Sequence, residues 1–191
     1  MKQVLKNVIR WFLDDYQLNR IYFLNIACNQ NEASVALADG VVITTLNSTD
    51  AATKSSDQRM RDHAWYGGEH AIGYGVWENQ ELVCIAWFWI ASHPKIPQRF
   101  SDLTEHEAVM VDLLTAPQCR GKGYAVAVAR YAAMDLARRG YQRVWTWVWR
   151  NNWPSISVFS KAGWIYAFFL VEIKLAGMHR YFRLTFPRGR K

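Results

Sequence analysis

Gln118-Cys119-Arg120-Gly121-Lys122-Gly123-Tyr124 stands between an apolar run, Glu107 to Thr115, and a long segment that ends at Gly140. The run before it reads as a strand. The segment Gly121 to Arg139 reads as a helix, and Gly140 stands where a C-terminal glycine cap belongs. The quoted heptad is therefore a strand-to-helix turn carrying two glycines. Missing side chains let a ligand come close to the backbone. A helix start offers four unpaired N–H groups and the positive end of the helix dipole. Arg120 and Lys122 add flexible positive charge. Such a turn suits an anion, a pyrophosphate above all. The same composition also serves as a plain tight connection.

Two familiar phosphate loops fit less well. A dinucleotide-binding turn needs a third glycine three residues after the second, where this chain has Val126. A P-loop ends in Gly-Lys-Ser/Thr, whereas Gly121-Lys122 is followed by Gly123.

Outward from the turn, Gln142 to Trp149 reads as the next strand. The strand–helix–strand unit 107–149 predicts two parallel neighbours joined by a right-handed crossover. Upstream lie two strands, Ala71 to Trp77 and Leu82 to Ile90, around the turn Glu78-Asn79-Gln80-Glu81, then a loop with two prolines, Ser92 to Asp102. Downstream, Pro154 to Ala162 reads as a short helix followed by Gly163, and Trp164 to Glu172 and Met178 to Phe186 as closing strands. In the N-terminal part, Val4, Leu5, Val8, Ile9, Phe12 and Tyr16 predict an amphipathic helix over 3–18. Arg20 to Ala27 reads as a strand and Val35 to Leu46 as a hairpin turning at Asp39-Gly40. Asn47 to Gly68 is polar and then helical, an excursion of the kind that binds substrate, and the acceptor site is expected to draw on 60–70.

The turn and a second segment together resemble a known family. Gln118, Gly121 and Gly123 fill the fixed positions of the signature Q/R-x-x-G-x-G/A of the GNAT superfamily, the acetyl-CoA-dependent N-acetyltransferases. Asn152 to Trp164 is similar to that family's second signature, an Asn-led helix ending in Lys-x-Gly-aromatic. The resemblance covers about residues 71–186. It implies one mixed α/β domain: a central twisted mixed sheet with splayed parallel strands, flanked by helices. Residues 1–70 would form a variable N-terminal part and 187–191 a basic tail. The pantetheine arm of acetyl-CoA would lie in the splay, touching Leu113, Leu114, Thr115, Gln118, Cys119, Arg120, Gly121, Lys122, Gly123, Tyr124, Asn152, Ser155 and Phe159. The Leu114 N–H would face the thioester oxygen as it becomes negative.

Composition sets wider bounds. With 191 residues and 51% apolar content the chain buries a real core and is not disordered. Lys and Arg exceed Asp and Glu by 23 to 16, so anionic ligands are favoured. Three separated cysteines with no CxxC pair, and five histidines with no HExxH pair, support neither disulfide framework nor metal site. Reduced thiols, together with charges that interrupt the N-terminal apolar residues, point to the cytoplasm. No apolar run is long enough to span a bilayer. No RNA- or DNA-reading signature is present. Dimers are common in the family resembled.

Transfer to an amine requires a proton acceptor, because a lysine-like amine is neutral in only about one molecule in a few thousand at pH 7. Glu107 and Asp112 are the catalytic candidates. Glu107 stands at the offset of the catalytic glutamate of histone-acetylating members. Strict alternation sends the two to opposite faces, and a bulge would reunite them. Many members carry a tyrosine as the acid for the leaving thiolate where this chain has Phe159; Ser160 and Tyr166 are candidate substitutes. Trp145, Trp147 and Trp149 share a strand face, as do Trp87 and Trp89, and either fill the core or line a pocket. Alternatives to acetyl transfer are a longer acyl donor, from acyl-CoA or an acyl carrier protein, and a non-catalytic CoA- or nucleic-acid-binding protein.

Overall fold

The computed structural model of the chain describes residues 13–26 and 38–187. Its strands, in chain order, are β1 (Leu13–Asn25), β2 (Val41–Leu46), β3 (Ala71–Glu78), β4 (Glu81–Ile90), β5 (Glu107–Thr115), β6 (Arg143–Trp149), β7 (Ile165–Leu175) and β8 (Phe182–Pro187). The helices are α1 (Ser48–Thr53), α2 (Gln58–Asp62), α3 (Tyr124–Arg138) and α4 (Trp153–Lys161). One eight-stranded sheet runs β2-β3-β4-β5-β6-β1-β7-β8. Its pairs are antiparallel except β5 with β6, which are parallel and joined through α3. The order expected for the second half of the chain is therefore present.

Two cores flank the sheet. On one face Tyr74, Phe88, Met110 and Val144 meet Val128, Ala129, Ala132 and Leu136 of α3. Small residues on that helix let it lie close to the strands. On the other face Ile21, Trp89, Val109 and Leu170 pack under Phe100 of the loop between β4 and β5. Trp87 and Trp89, 1% and 4% exposed, are core residues rather than pocket walls.

The N-terminal part differs from expectation. Residues 13–18 belong to β1, not to a helix; the rest of the expected helix lies outside the described residues. The reason is tertiary. β1 is inserted between β6 and β7 and bonds to both, from Leu13↔Leu175 to Phe23↔Ile165 on one edge and from Asn19↔Trp149 to Asn25↔Arg143 on the other. Residues 13–18 themselves pair only with β7, as the leading part of a strand that β6 joins from Asn19 onward; this ladder overrides the helical spacing of a few apolar residues. Val41–Leu46 pairs with β3, while the expected first limb of its hairpin falls mostly outside the described residues. β8 starts at Phe182, four residues later than Met178.

α3 starts at Tyr124, three residues after the expected Gly121. Gly121 and Gly123 have φ of +82° and +84°, in the left-handed region that a helix cannot use. The turn is therefore longer and more open than the sequence pattern implied.

Candidate active site

β5 and β6 pair only from Glu107↔Arg143 to Met110↔Thr146, although both strands continue beyond. The divergence has a local cause. Trp87 of β4 pairs with Asp112 and Phe88 with Met110, which leaves Val111 as the extra residue of a β-bulge. A bulge adds twist and bends its strand. At the apex of the wedge the Thr146 hydroxyl donates to the Met110 carbonyl over 3.1 Å.

The wedge opens into a cavity of about 530 Å³ closed by the start of α3 and one face of α4. Ten of the thirteen residues expected to hold cofactor line it: Leu113, Leu114, Thr115, Cys119, Arg120, Gly121, Gly123, Tyr124, Asn152 and Ser155. Gln118 and Lys122 do not, nor does Phe159. Phe159 is 3% exposed and packs on Tyr22 and Trp164, with ring centroids 6.0 and 5.1 Å away. It is a core residue, because its position on α4 faces the sheet. Ser160 is exposed on the same helix, and Tyr166 lies against Tyr22, 5.6 Å between centroids. Pro154, Val158 and Lys161 also line the cavity; their spacing of four and three residues places them on one helical face, a signal readable in the sequence.

The turn presents its amides to this cavity. Cys119 and Arg120 N–H groups bond back to Ala116 and Pro117 carbonyls. The first N–H to enter the helix ladder is that of Ala127, which bonds to the Gly123 carbonyl over 3.0 Å. Between them, the amides of Gly121 to Val126 have no partner within the described residues, and no side chain caps α3. Uncapped N–H groups at a helix start are costly unless water or a ligand takes them.

Glu78, at the end of β3, stands beside the turn. It accepts from Lys122 Nζ at 2.8 and 2.9 Å and from the Tyr124 hydroxyl at 2.6 Å. The Lys122 contact, then Tyr124, hold its carboxyl down to about 2. Lys122 is thus neutralised by a neighbour that sequence spacing does not reveal, 44 residues away. Arg120 of the turn and Lys161 of α4 remain as exposed cations lining the cavity.

The strand amides also differ from expectation. Ala116 N–H bonds to the Val83 carbonyl of β4 over 2.9 Å. N–H groups two residues apart on a strand point to the same side. The Leu114 amide therefore points toward β4, and those of Leu113 and Thr115 point into the wedge.

The bulge brings Glu107 and Asp112 to one face of the sheet, the face opposite α3 and α4. It does not bring them to one site. Glu107 lies at the far end of β5, where Trp145 Nε1 donates to it over 3.0 Å, Thr104 N–H over 3.1 Å and Arg143 lies 3.4 Å away. Burial tends to raise its pKa, but the Trp145 and Thr104 hydrogen bonds and the Arg143 charge outweigh this and lower it. Glu107 lines a separate pocket of about 150 Å³ with Arg99, Phe100, Trp145 and Phe168.

Asp112 sits two residues past the apex, next to the cavity-lining Leu113. Its carboxylate is 3.0 Å from Nδ1 of His63. His63 opens a short 3-10 turn, His63–Tyr66, that follows α2. Close packing sets the position of that turn. A Cβ on Gly67 would lie 2.7 Å from the Trp87 ring and one on Gly73 2.3 Å from it. Trp89 Nε1 donates to the Tyr66 carbonyl over 2.7 Å. The segment is thus drawn down onto Trp87, the strand partner of Asp112. No sequence signal singled out His63.

Fold and cavity can be set beside known proteins. A family model described as Acetyltransferase (GNAT) family matches residues 43–164. The chain belongs to the acetyltransferase (GNAT) family. The GNAT match starts within β2, earlier than the two signatures show. Mycothiol acetyltransferase of Saccharomonospora viridis is 28% identical over 100 residues, which are 52% of this chain and 31% of that protein. The chain thus spans about a third of that curated relative. A tandem GNAT protein from the clavulanic acid biosynthesis pathway is similar in fold, with TM-score 0.59 at 15% identity, over 93% of this chain and 59% of that one. The ribosomal-protein-S18-alanine N-acetyltransferase of Escherichia coli superposes with TM-score 0.51 at 19% identity, over 64% of this chain and 76% of that one. Among the described residues no helix is long and apolar enough to cross a membrane.

Proposed function

We propose that this GNAT protein transfers an acetyl group from acetyl-CoA to a primary amine by direct attack on the thioester. The observation that carries the reading is the run of amides from Gly121 to Val126, unpartnered within the described residues, at the wall of a wedge between two parallel strands. Those amides and the α3 dipole suit the pyrophosphate. Asn152 and Ser155 border the pantetheine path, and the wedge-facing amides of Leu113 and Thr115 can pair with its amide groups and with the developing oxyanion. Positioning of amine against thioester supplies much of the acceleration. A thiol with a pKa near 8.5 leaves without a strong acid, so Phe159 in place of tyrosine does not bar the reaction.

The buried state of Trp87 and Trp89 favours a short acyl group over a long one, since neither ring borders the wedge. Thiol release from acetyl-CoA and octanoyl-CoA, with phenethylamine, spermidine and an alanine-terminated tripeptide as acceptors, tests this. Faster release from acetyl-CoA, dependent on an amine, is expected. Faster release from octanoyl-CoA would overturn the donor assignment, and binding of acetyl-CoA without any amine-dependent release would overturn transfer to these amines.

A further inference from the structure

Resting on that reading, we infer that His63, oriented by Asp112, is the base that takes the proton from the acceptor amine. Three observations converge. First, place: Asp112 lies two residues beyond the last β5–β6 pair, beside the cavity-lining Leu113 but on the sheet face away from α3 and α4, so the dyad stands outside the cofactor cavity, on the face of the splay left for an acceptor. Second, geometry: the 3.0 Å contact uses Nδ1, and His63 Nε2 has no partner among the described residues. In the neutral imidazole, a proton on Nδ1 donated to Asp112 leaves a lone pair on Nε2. Third, exposure: the His63 side chain is 35% exposed and that of Asp112 12%, so the imidazole meets solvent and substrate while the carboxylate stays behind it.

The step balances without any further reactant. Nε2 takes one proton from the ammonium. The freed nitrogen lone pair forms the C–N bond at the thioester carbonyl, the C–S bond breaks, and the thiolate takes a second proton from the attacking nitrogen. The imidazolium then returns its proton to solvent. Glu107 has no part in this, being held by Trp145, Thr104 and Arg143 at the other end of β5.

The charges around His63 set its pH window. The Asp112 hydrogen bond raises its pKa above the usual 6.5, burial opposes, the charges of Asp112 and Asp62 raise it further, and Arg59 lowers it. Tyr66, its ring 5.5 Å away, is itself shifted up by burial and by Asp112. Because the base must be neutral, kcat falls as pH drops through this raised value.

Two measurements test the dyad. In NMR of the full chain, acetyl-CoA at saturation should move the His63 ring resonances more than those of His93 or His106. Unmoved His63 resonances with acetyl-CoA bound would overturn the proposal. In kinetics, His63→Gln keeps a donor for Asp112 and should keep the thermal shift with acetyl-CoA. Its kcat at pH 7 should fall by about 10²- to 10⁴-fold, with loss of the acid limb. Asp112→Asn should move that limb to lower pH. Turnover by His63→Gln within about 3-fold of wild type, with the limb unchanged, would overturn the dyad while leaving the transferase reading intact. Absence of any acetyl-CoA binding by the wild-type chain would instead overturn that reading and the dyad with it.

Discussion

Gly121→Asp separates a phosphate-binding turn from a turn that merely connects. At φ +82° a side chain costs about 1 kcal/mol in backbone strain. A Cβ there meets nothing within 4 Å, so the unliganded fold should tolerate the change. A carboxylate about 5 Å from a bound pyrophosphate, at an effective dielectric of about 20, repels it by about 3 kcal/mol, more than a hundredfold in affinity. The assay is thermal unfolding with and without acetyl-CoA. Ligand at about 100 times its dissociation constant adds about 2.7 kcal/mol, or roughly 5–10 °C for a chain of this size. At the same concentration the variant should gain less than about 1 °C. Gly140→Asp is the control: its φ is +92°, a Cβ there also meets nothing within 4 Å, and it stands after α3 rather than before it. It should show similar strain and a full ligand shift. An undiminished shift in Gly121→Asp would refute the placement of the pyrophosphate.

Three further outcomes follow from side chains outside the wedge. Glu107→Gln should leave kcat within about 2-fold, because Glu107 is engaged away from the cavity. It should lower Tm at pH 7, and since the folded pKa lies below the usual 4.5, that difference should fade as pH falls below 4.5 through the folded value; a large loss of kcat at unchanged Tm would contradict this. Glu172, 2% exposed, accepts from Arg99 at 2.9 Å and Arg183 at 3.1 Å. Glu172→Ala leaves the Arg99 charge buried without its partner, so urea unfolding should show a loss of about 3–5 kcal/mol. Phe159→Ala should cost about 3–5 kcal/mol by the same measurement, as expected for a core ring rather than a cavity residue.

The sequence carried the site where chemistry and chain order coincide. The two glycines, the strand before them and the Asn-led helix after β6 all fall within residues 107–161, and local rules describe each. Contacts between distant segments were not legible. Glu78 reaches Lys122 across 44 residues and His63 reaches Asp112 across 49, and no periodicity announces either. The Val111 bulge was only an option on paper, because alternation in an apolar strand does not mark its extra residue. Residues 13–18 misled for a different reason: their apolar spacing fits a helix, but pairing along β7 takes them as a strand, continuous with residues 19–25 between β6 and β7.

A crystal structure with acetyl-CoA tests the central claim most directly. The account predicts pyrophosphate oxygens about 3 Å from amides in the range 121–126, with the thioester between Leu113 and the mouth of the wedge near His63. Pyrophosphate bound elsewhere, with those amides facing only water, would contradict it.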